Sequence, residues 1–119
     1  MGGPLTFPVT RSETTADRSP ISVNFGLVPV GQTSAPQNAT FTNVGTSALN
    51  ISSIALIGAN AARFAETNNC PASLAAGASC TITVTFTPDF AGEIYQASVS
   101  ITDGAYGSPQ GIFLSGTGQ

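Results

Sequence analysis

From Pro20 onward, apolar and polar residues alternate in short runs, with turn residues at intervals of about ten positions. Ile21, Val23 and Phe25 share one face, and Val28 and Val30 continue around Pro29 to Gly31. Ala39 and Phe41 come next, closed by Asn43-Val44-Gly45. Leu49 and Ile51 lead to Ile54 and Leu56, and the change of parity between Ile51 and Ile54 predicts a bulge. The cleanest run sets Ile82, Val84 and Phe86 against Thr81, Thr83, Thr85 and Thr87, and Pro88 stops it. Tyr95, Ala97, Val99 and Ile101 form the next apolar set, ended by Asp103-Gly104, and Ile112 and Leu114 form the last. A period of two is the signature of half-buried strands, whereas residues 59–65 allow one helical turn at most. The pattern predicts an all-β sandwich of seven antiparallel strands over residues 20–118. Phe25, Phe41, Ile51, Phe64, Val84, Phe86, Val99 and Leu114 are its expected core.

Residues 1–19 read differently. Leu5, Phe7 and Val9 alternate with Pro4, Thr6, Pro8 and Thr10, giving one apolar face on an extended segment. Pro4 and Pro8 remove two donors, so this segment can pair only along one edge. Residues 11–19 are polar and read as a linker. The chain therefore divides into an extended segment and linker, residues 1–19, and a sandwich domain, residues 20–118.

Composition narrows the chemistry. The 119 residues contain no histidine and no tryptophan, and the three basic residues, Arg11, Arg18 and Arg63, are all arginine. Ser-His-Asp and Cys-His sites cannot be built, nor can a Schiff-base or P-loop lysine. Three arginines and a net charge of −3 leave no basic footprint for nucleic acid. No apolar run approaches membrane-spanning length. The first residues, Met1-Gly2-Gly3-Pro4, lack the basic and apolar regions of a secretory leader. With no histidine, two cysteines are too few for a zinc site.

Several short stretches carry a resemblance. Asn24-Phe25-Gly26, Val28-Pro29-Val30-Gly31, Thr42-Asn43-Val44-Gly45, Ile51-Ser52-Ser53-Ile54 and Gly58-Ala59-Asn60 follow one another in order. The most specific stretch runs from Leu74 through Cys80 to Pro88, and Ser108-Pro109-Gln110 and Leu114-Ser115-Gly116-Thr117-Gly118 complete the set. Together they resemble the ASPM-SPD-2-Hydin domain, in the bacterial branch often found in choice-of-anchor D surface proteins. Residues 1–19 lie outside the resemblance. It implies an immunoglobulin-like sandwich related to the major sperm protein and PapD type. It also implies a binding or spacer module, commonly in tandem arrays, placed in bacteria mostly in secreted or surface proteins. The family carries no catalytic motif, so the resemblance transfers no catalytic residue, cofactor or metal site.

Cys70 and Cys80 flank a loop containing Pro71 and Gly77. A structural disulfide fits an oxidising, extracytoplasmic setting; two buried thiols are the alternative, and a redox switch would need a nearby cation that the sequence does not supply. The acids Asp89, Glu93 and Asp103 match no calcium-loop pattern and read as solvated turn residues. The threonine ladder reads as an ordinary outward strand face, although four threonines in a row invite comparison with ice- or sugar-binding surfaces. Tyr106 is the one aromatic placed for a sugar-binding loop. Asn38 and Asn50 begin glycosylation sequons that matter only in a source that glycosylates asparagine. Ile94 and Phe113 fall on the outward parity of neighbouring strands, where they either stand alone or mark a contact surface. Two functions follow. One is a non-enzymatic structural or protein-interaction module of a bacterial secreted or cell-surface protein, with a protein partner or neighbouring identical domains. The other is a subunit of an extracellular homo-polymer that donates Leu5, Phe7 and Val9 as a strand.

Overall fold

The computed structural model describes residues 16–103 and 109–119. Within them the chain forms nine strands: β1 Ala16–Ser19, β2 Ser22–Val28, β3 Gln37–Asn43, β4 Leu49–Ile57, β5 Phe64–Asn68, β6 Ser73–Leu74, β7 Ser79–Phe86, β8 Ile94–Asp103 and β9 Gln110–Gly118. The helical content is one 3-10 turn, Ala61–Arg63, inside the stretch expected to allow a single turn. Four strands form one sheet in the order β1-β3-β7-β5, and five form the other in the order β2-β9-β8-β4-β6. The two sheets enclose a single core, so the all-β sandwich expected from the alternation is the architecture found.

The core residues follow the predicted parity. Phe41, Phe64, Val84, Phe86, Val99 and Leu114 are buried, while Phe25 and Ile51 are half-buried at its margin. Phe86 is the hub, with ring centroids 4.9 Å from Phe64, 5.4 Å from Tyr95 and 5.8 Å from Phe25. Such offset and tilted arrangements suit the aromatic quadrupole. The bulge anticipated between Ile51 and Ile54 appears as a register shift between Ile51 and Ser53 against β8. It returns Ile54 and Leu56 to the inner face.

The structure corrects five expectations. The sandwich has nine strands rather than seven. β1 uses the last four residues of the stretch read as linker, pairing Ala16 with Asn43 and Ser19 with Thr40. β6 is too short to show a period and pairs only Leu74 with Leu49 and Ser73 with Asn50. The sandwich is also not wholly antiparallel, because β2 runs parallel to β9. Strand β2 ends at Val28, leaving Val30 41% exposed beyond it. Finally, Asp103 is buried at the end of β8 rather than solvated in a turn. Leu5, Phe7, Val9 and Tyr106 lie outside the described residues.

Two motif residues acquire physical reasons. Asn43 is fully buried, and its side-chain amide donates to the carbonyls of Ser47 and Leu74, each at 2.9 Å. Its Oδ1 accepts the Gly45 N–H at 2.9 Å, which fixes the turn after β3. The disulfide Cys70–Cys80 closes the loop between β5 and β7, with the two α-carbons 5.0 Å apart.

Candidate interaction surface

The outer faces of the two sheets differ in chemistry. On the four-stranded sheet, Thr81, Thr83 and Thr85 of β7 are flanked by Thr40 and Thr42 of β3 and Thr67 of β5. Two of these hydroxyls are engaged within the sheet: Thr42 bonds to Ser79, and Thr83 donates to Asn38 Oδ1, both at 2.9 Å. The face thus carries ordinary cross-strand hydroxyl bonds.

Of the two sheets, the five-stranded one carries the exposed large apolar residues; Ile21, Val30, Val44 and Phe90, also exposed, lie in the connections. Register places Leu27 of β2 opposite Thr117 of β9, and Thr117 opposite Ile94 of β8. Leu27 and Ile94 are 64% and 66% exposed. Four residues along, a second row runs from Ser22 through Phe113 and Ser98 to Ile57, with Phe113 and Ile57 also exposed. Ile94 and Phe113 therefore share one face, as their parity implies, but stand about 13 Å apart along the strands. Each has its own apolar companion two strands away, across Thr117 and Ser98 respectively. A hollow of about 260 Å³ lies between Phe113 and Ile57, bordered by Ser98, Ala97 and Gly58.

The rest of this face is uncharged: a polar row, Asn24, Ser115 and Gln96, separates the two apolar rows, and small residues lie beyond Phe113. There one row joins Gly111 to Ser100 and Ala55, and the next pairs Thr102 with Ser53. No Asp, Glu, Lys or Arg points outward from β2, β9, β8 or β4 among the described residues. Sequence reasoning missed Leu27 and Ile57. The signals were local: Gly26 sits at the register shift that turns Leu27 outward, and Ile57 has the opposite parity to Ile54 and Leu56.

At one end of the sandwich, the Tyr95 hydroxyl donates to Asp89 Oδ1 at 2.7 Å and accepts the Phe90 N–H at 2.9 Å. Arg63 Nη1 lies 3.6 Å from Asp89 Oδ2. Burial first, and then the hydrogen bond to Asp89, raises the Tyr95 phenol above its ordinary value. These contacts tie the turn before β8 to the 3-10 turn, and the Asp89 carboxylate is taken up in them. Among the described residues no three His, Cys, Asp or Glu side chains cluster to hold a metal, and no helix is long and apolar enough to cross a membrane.

The edges differ as well. Beyond Asn50, Ile51 N–H still donates to the Ala72 carbonyl, but no described strand pairs with the outer edge of β4 from Ser52 to Ile57. Beside this edge, Ile51 and Ile54 border a second hollow with Cys70 and Pro71.

Residues 17–117 match the family described as HYDIN/CFA65/VesB-like, Ig-like domain. The chain belongs to this family. The resemblance read from the turn motifs and from the Leu74 to Pro88 stretch is thereby confirmed at the level of the Ig-like domain family, and the Ig-like domains of this family are typically non-catalytic. Among solved structures, a protein of unknown function from Porphyromonas gingivalis W83 superposes with a TM-score of 0.70 at 16% identity, over 93% of this chain and 50% of that one. The ASH/PapD-like domain of human CEP192 (PapD-like domain 7) gives 0.67 at 21% identity, over 98% and 94%. The VesB protease of Vibrio cholerae gives 0.62 at 17% identity, over 87% of this chain and 32% of the protease. At these identities the likeness is one of fold. This Ig-like chain spans half the length of the Porphyromonas protein and about a third of VesB. No curated protein sequence matches it.

Proposed function

We propose that this Ig-like domain is a non-enzymatic protein-interaction module of a bacterial secreted or cell-surface protein, and that it docks through the outer face of its five-stranded sheet. The observation that carries the reading is that Leu27, Ile94, Phe113 and Ile57 are all exposed on one face without outward charge, in two rows of that face. Exposed apolar side chains grouped on one uncharged surface mark contact sites, whereas scattered ones do not. The absence of histidine and lysine from the whole chain argues against catalysis. The Cys70–Cys80 disulfide and the fold shared with VesB and with the secreted protease VesC support an extracytoplasmic setting. Photo-crosslinking side chains placed at residues 94 and 113, with residue 83 on the opposite sheet as control, test the docking face in source cells. Protein adducts specific to 94 and 113 are expected; equal labelling from residue 83 overturns the reading.

The open edge of β4 favours a second reading, a polymer in which residues 4–10 of one copy add to this edge of the next. Main-chain groups of alternate residues in a strand face the same side, so Leu5, Phe7 and Val9 can all pair along one edge while Pro4 and Pro8 face away. Their side chains would extend the apolar margin formed by Ile54 and Leu56. Deleting residues 1–10 tests it: the intact chain assembles and the truncated chain stays monomeric. If both are monomers with similar melting temperatures, the segment is a passive tail.

A further inference from the structure

We propose that the uncharged outer face receives a second copy of this chain, the two packed face to face about a two-fold axis. This names the partner of the interaction face above and rests on that reading.

The face is self-complementary in shape. Phe113 projects from β9, 45% exposed, two residues from Gly111, where no side chain fills the surface. Gly111, Ser100 and Ala55 lie in one row across three strands. A projecting ring thus adjoins a shallow floor of small residues. Under two-fold symmetry the ring of each copy rests on the floor of the other, so one knob and one depression make both halves of the contact. Ile57 and the hollow beside it extend the same row of contacts.

Charge selects the same partner. A chain of net charge −3 repels its copies wherever its acids face one another. Here the described acids stand off the contact: Asp17 and Glu66 are in the other sheet, Asp89 and Glu93 are in the turn before β8, and Asp103 is turned inward. Copies can meet on this face without bringing carboxylates together.

Size sets the strength. Four strands about 4.8 Å apart and about seven residues long give a face of roughly 19 by 23 Å. Two copies then bury on the order of 900 Å², at the small end of specific contacts, so the association is weak and reversible.

Sedimentation equilibrium of the intact chain, from about 10 μM to 1 mM, tests the proposal. The expected result is a monomer–dimer equilibrium only weakly sensitive to salt, because the described acids stand off the face and Arg18 is held by the Gly111 carbonyl at its margin. Phe113→Arg and Ala55→Arg each weaken it at least about tenfold, the effect of burying an unpaired charge at a contact. Both melt close to the parent because both sites are on the surface. Thr83→Arg and deletion of residues 1–10 leave the equilibrium unchanged. A monomer at every concentration overturns the proposal, as does a Phe113→Arg chain that dimerises like the parent. Loss of association on deleting residues 1–10 overturns it in favour of the donated strand. A monomeric chain that still gives adducts to another protein from residue 113 overturns the second copy alone. A monomer without adducts overturns the docking face as well.

Discussion

The ring of Phe86 fills the space that a side chain on Gly116 would occupy. A β-carbon built on Gly116 would stand 2.5 Å from Phe86 Cε2 and 2.7 Å from Cδ2. Gly116 lies in β9 opposite Tyr95, on the inner face, and Phe86 packs from β7 in the other sheet. The glycine of the Leu114-Ser115-Gly116-Thr117-Gly118 motif therefore lets the two sheets approach over the aromatic hub. Phe86 is fully buried and held between Phe64 and Tyr95, so it has no room to yield. Gly116→Ala is expected to destabilise the domain by about 1–3 kcal/mol through overpacking, read as a lower denaturant midpoint.

Asn43 closes the turn after β3 with three hydrogen bonds while wholly buried. Asn43→Ala strands the Ser47 and Leu74 carbonyls and the Gly45 N–H. The expected cost is about 2–4 kcal/mol, since each buried group left without a partner costs about 1–3 kcal/mol. Asn43→Asp keeps the acceptor for Gly45 but loses the two donations, so it should also destabilise. Chemical denaturation of the three proteins measures both effects.

The Cys70–Cys80 bond closes a short loop, with a sequence separation of 10. Its removal by Cys70→Ser with Cys80→Ser should cost roughly 3 kcal/mol in the chain-entropy model. The interaction face lies on the other sheet, so self-association and photo-adducts from residue 113 should persist in this variant at temperatures where it stays folded. Thiol titration of the parent protein, unfolded without reductant, should detect no free thiol.

Tyr95 gives the domain an alkaline limit. Burial and the hydrogen bond to Asp89 raise the folded phenol above its unfolded value of about 10. Between the two values the folded chain keeps a proton that the unfolded chain releases, so stability falls as pH rises through this interval. The contribution is fully present below pH about 10. Melting temperatures measured across this range should decline more steeply for the parent than for Tyr95→Phe, which should be less stable than the parent at neutral pH because the Asp89 and Phe90 hydrogen bonds are gone.

Strands whose side chains alternate were legible because burial of one sheet face imposes a period of two. Ile82, Val84 and Phe86 announce β7, and the parity change after Ile51 announces the bulge. β1 was hidden: Ala16-Asp17-Arg18-Ser19 has a single apolar residue, and its place in the sheet comes from backbone pairing with β3 and from Arg18 Nε donating to the Gly111 carbonyl at 2.7 Å. The parallel partnership of β2 and β9 was hidden too, because local pattern does not say which distant strand becomes a neighbour. For the same reason the outward parity of Ile94 and Phe113, like the local signals at Leu27 and Ile57, did not say which of these residues share a row. Those neighbours are set by register across strands far apart in sequence.

The parallel pairing of β2 with β9 bears on how such a domain carries tension. The β2 entry at Ser22 lies beside Phe113, and the β9 exit at Gly118 lies beside Val28. The Gln119 N–H donates to the Val28 carbonyl, and the Val30 N–H to the Gln119 carbonyl, lengthening the ladder at that end. Once β1 is released from β3, force entering at Ser22 and leaving at Gly118 pulls the two strands past one another along their length. The hydrogen bonds of this ladder then bear the load side by side instead of opening one after another. Held at both ends within a longer chain, the domain acts as a clasp that resists stretching even where its equilibrium stability is modest.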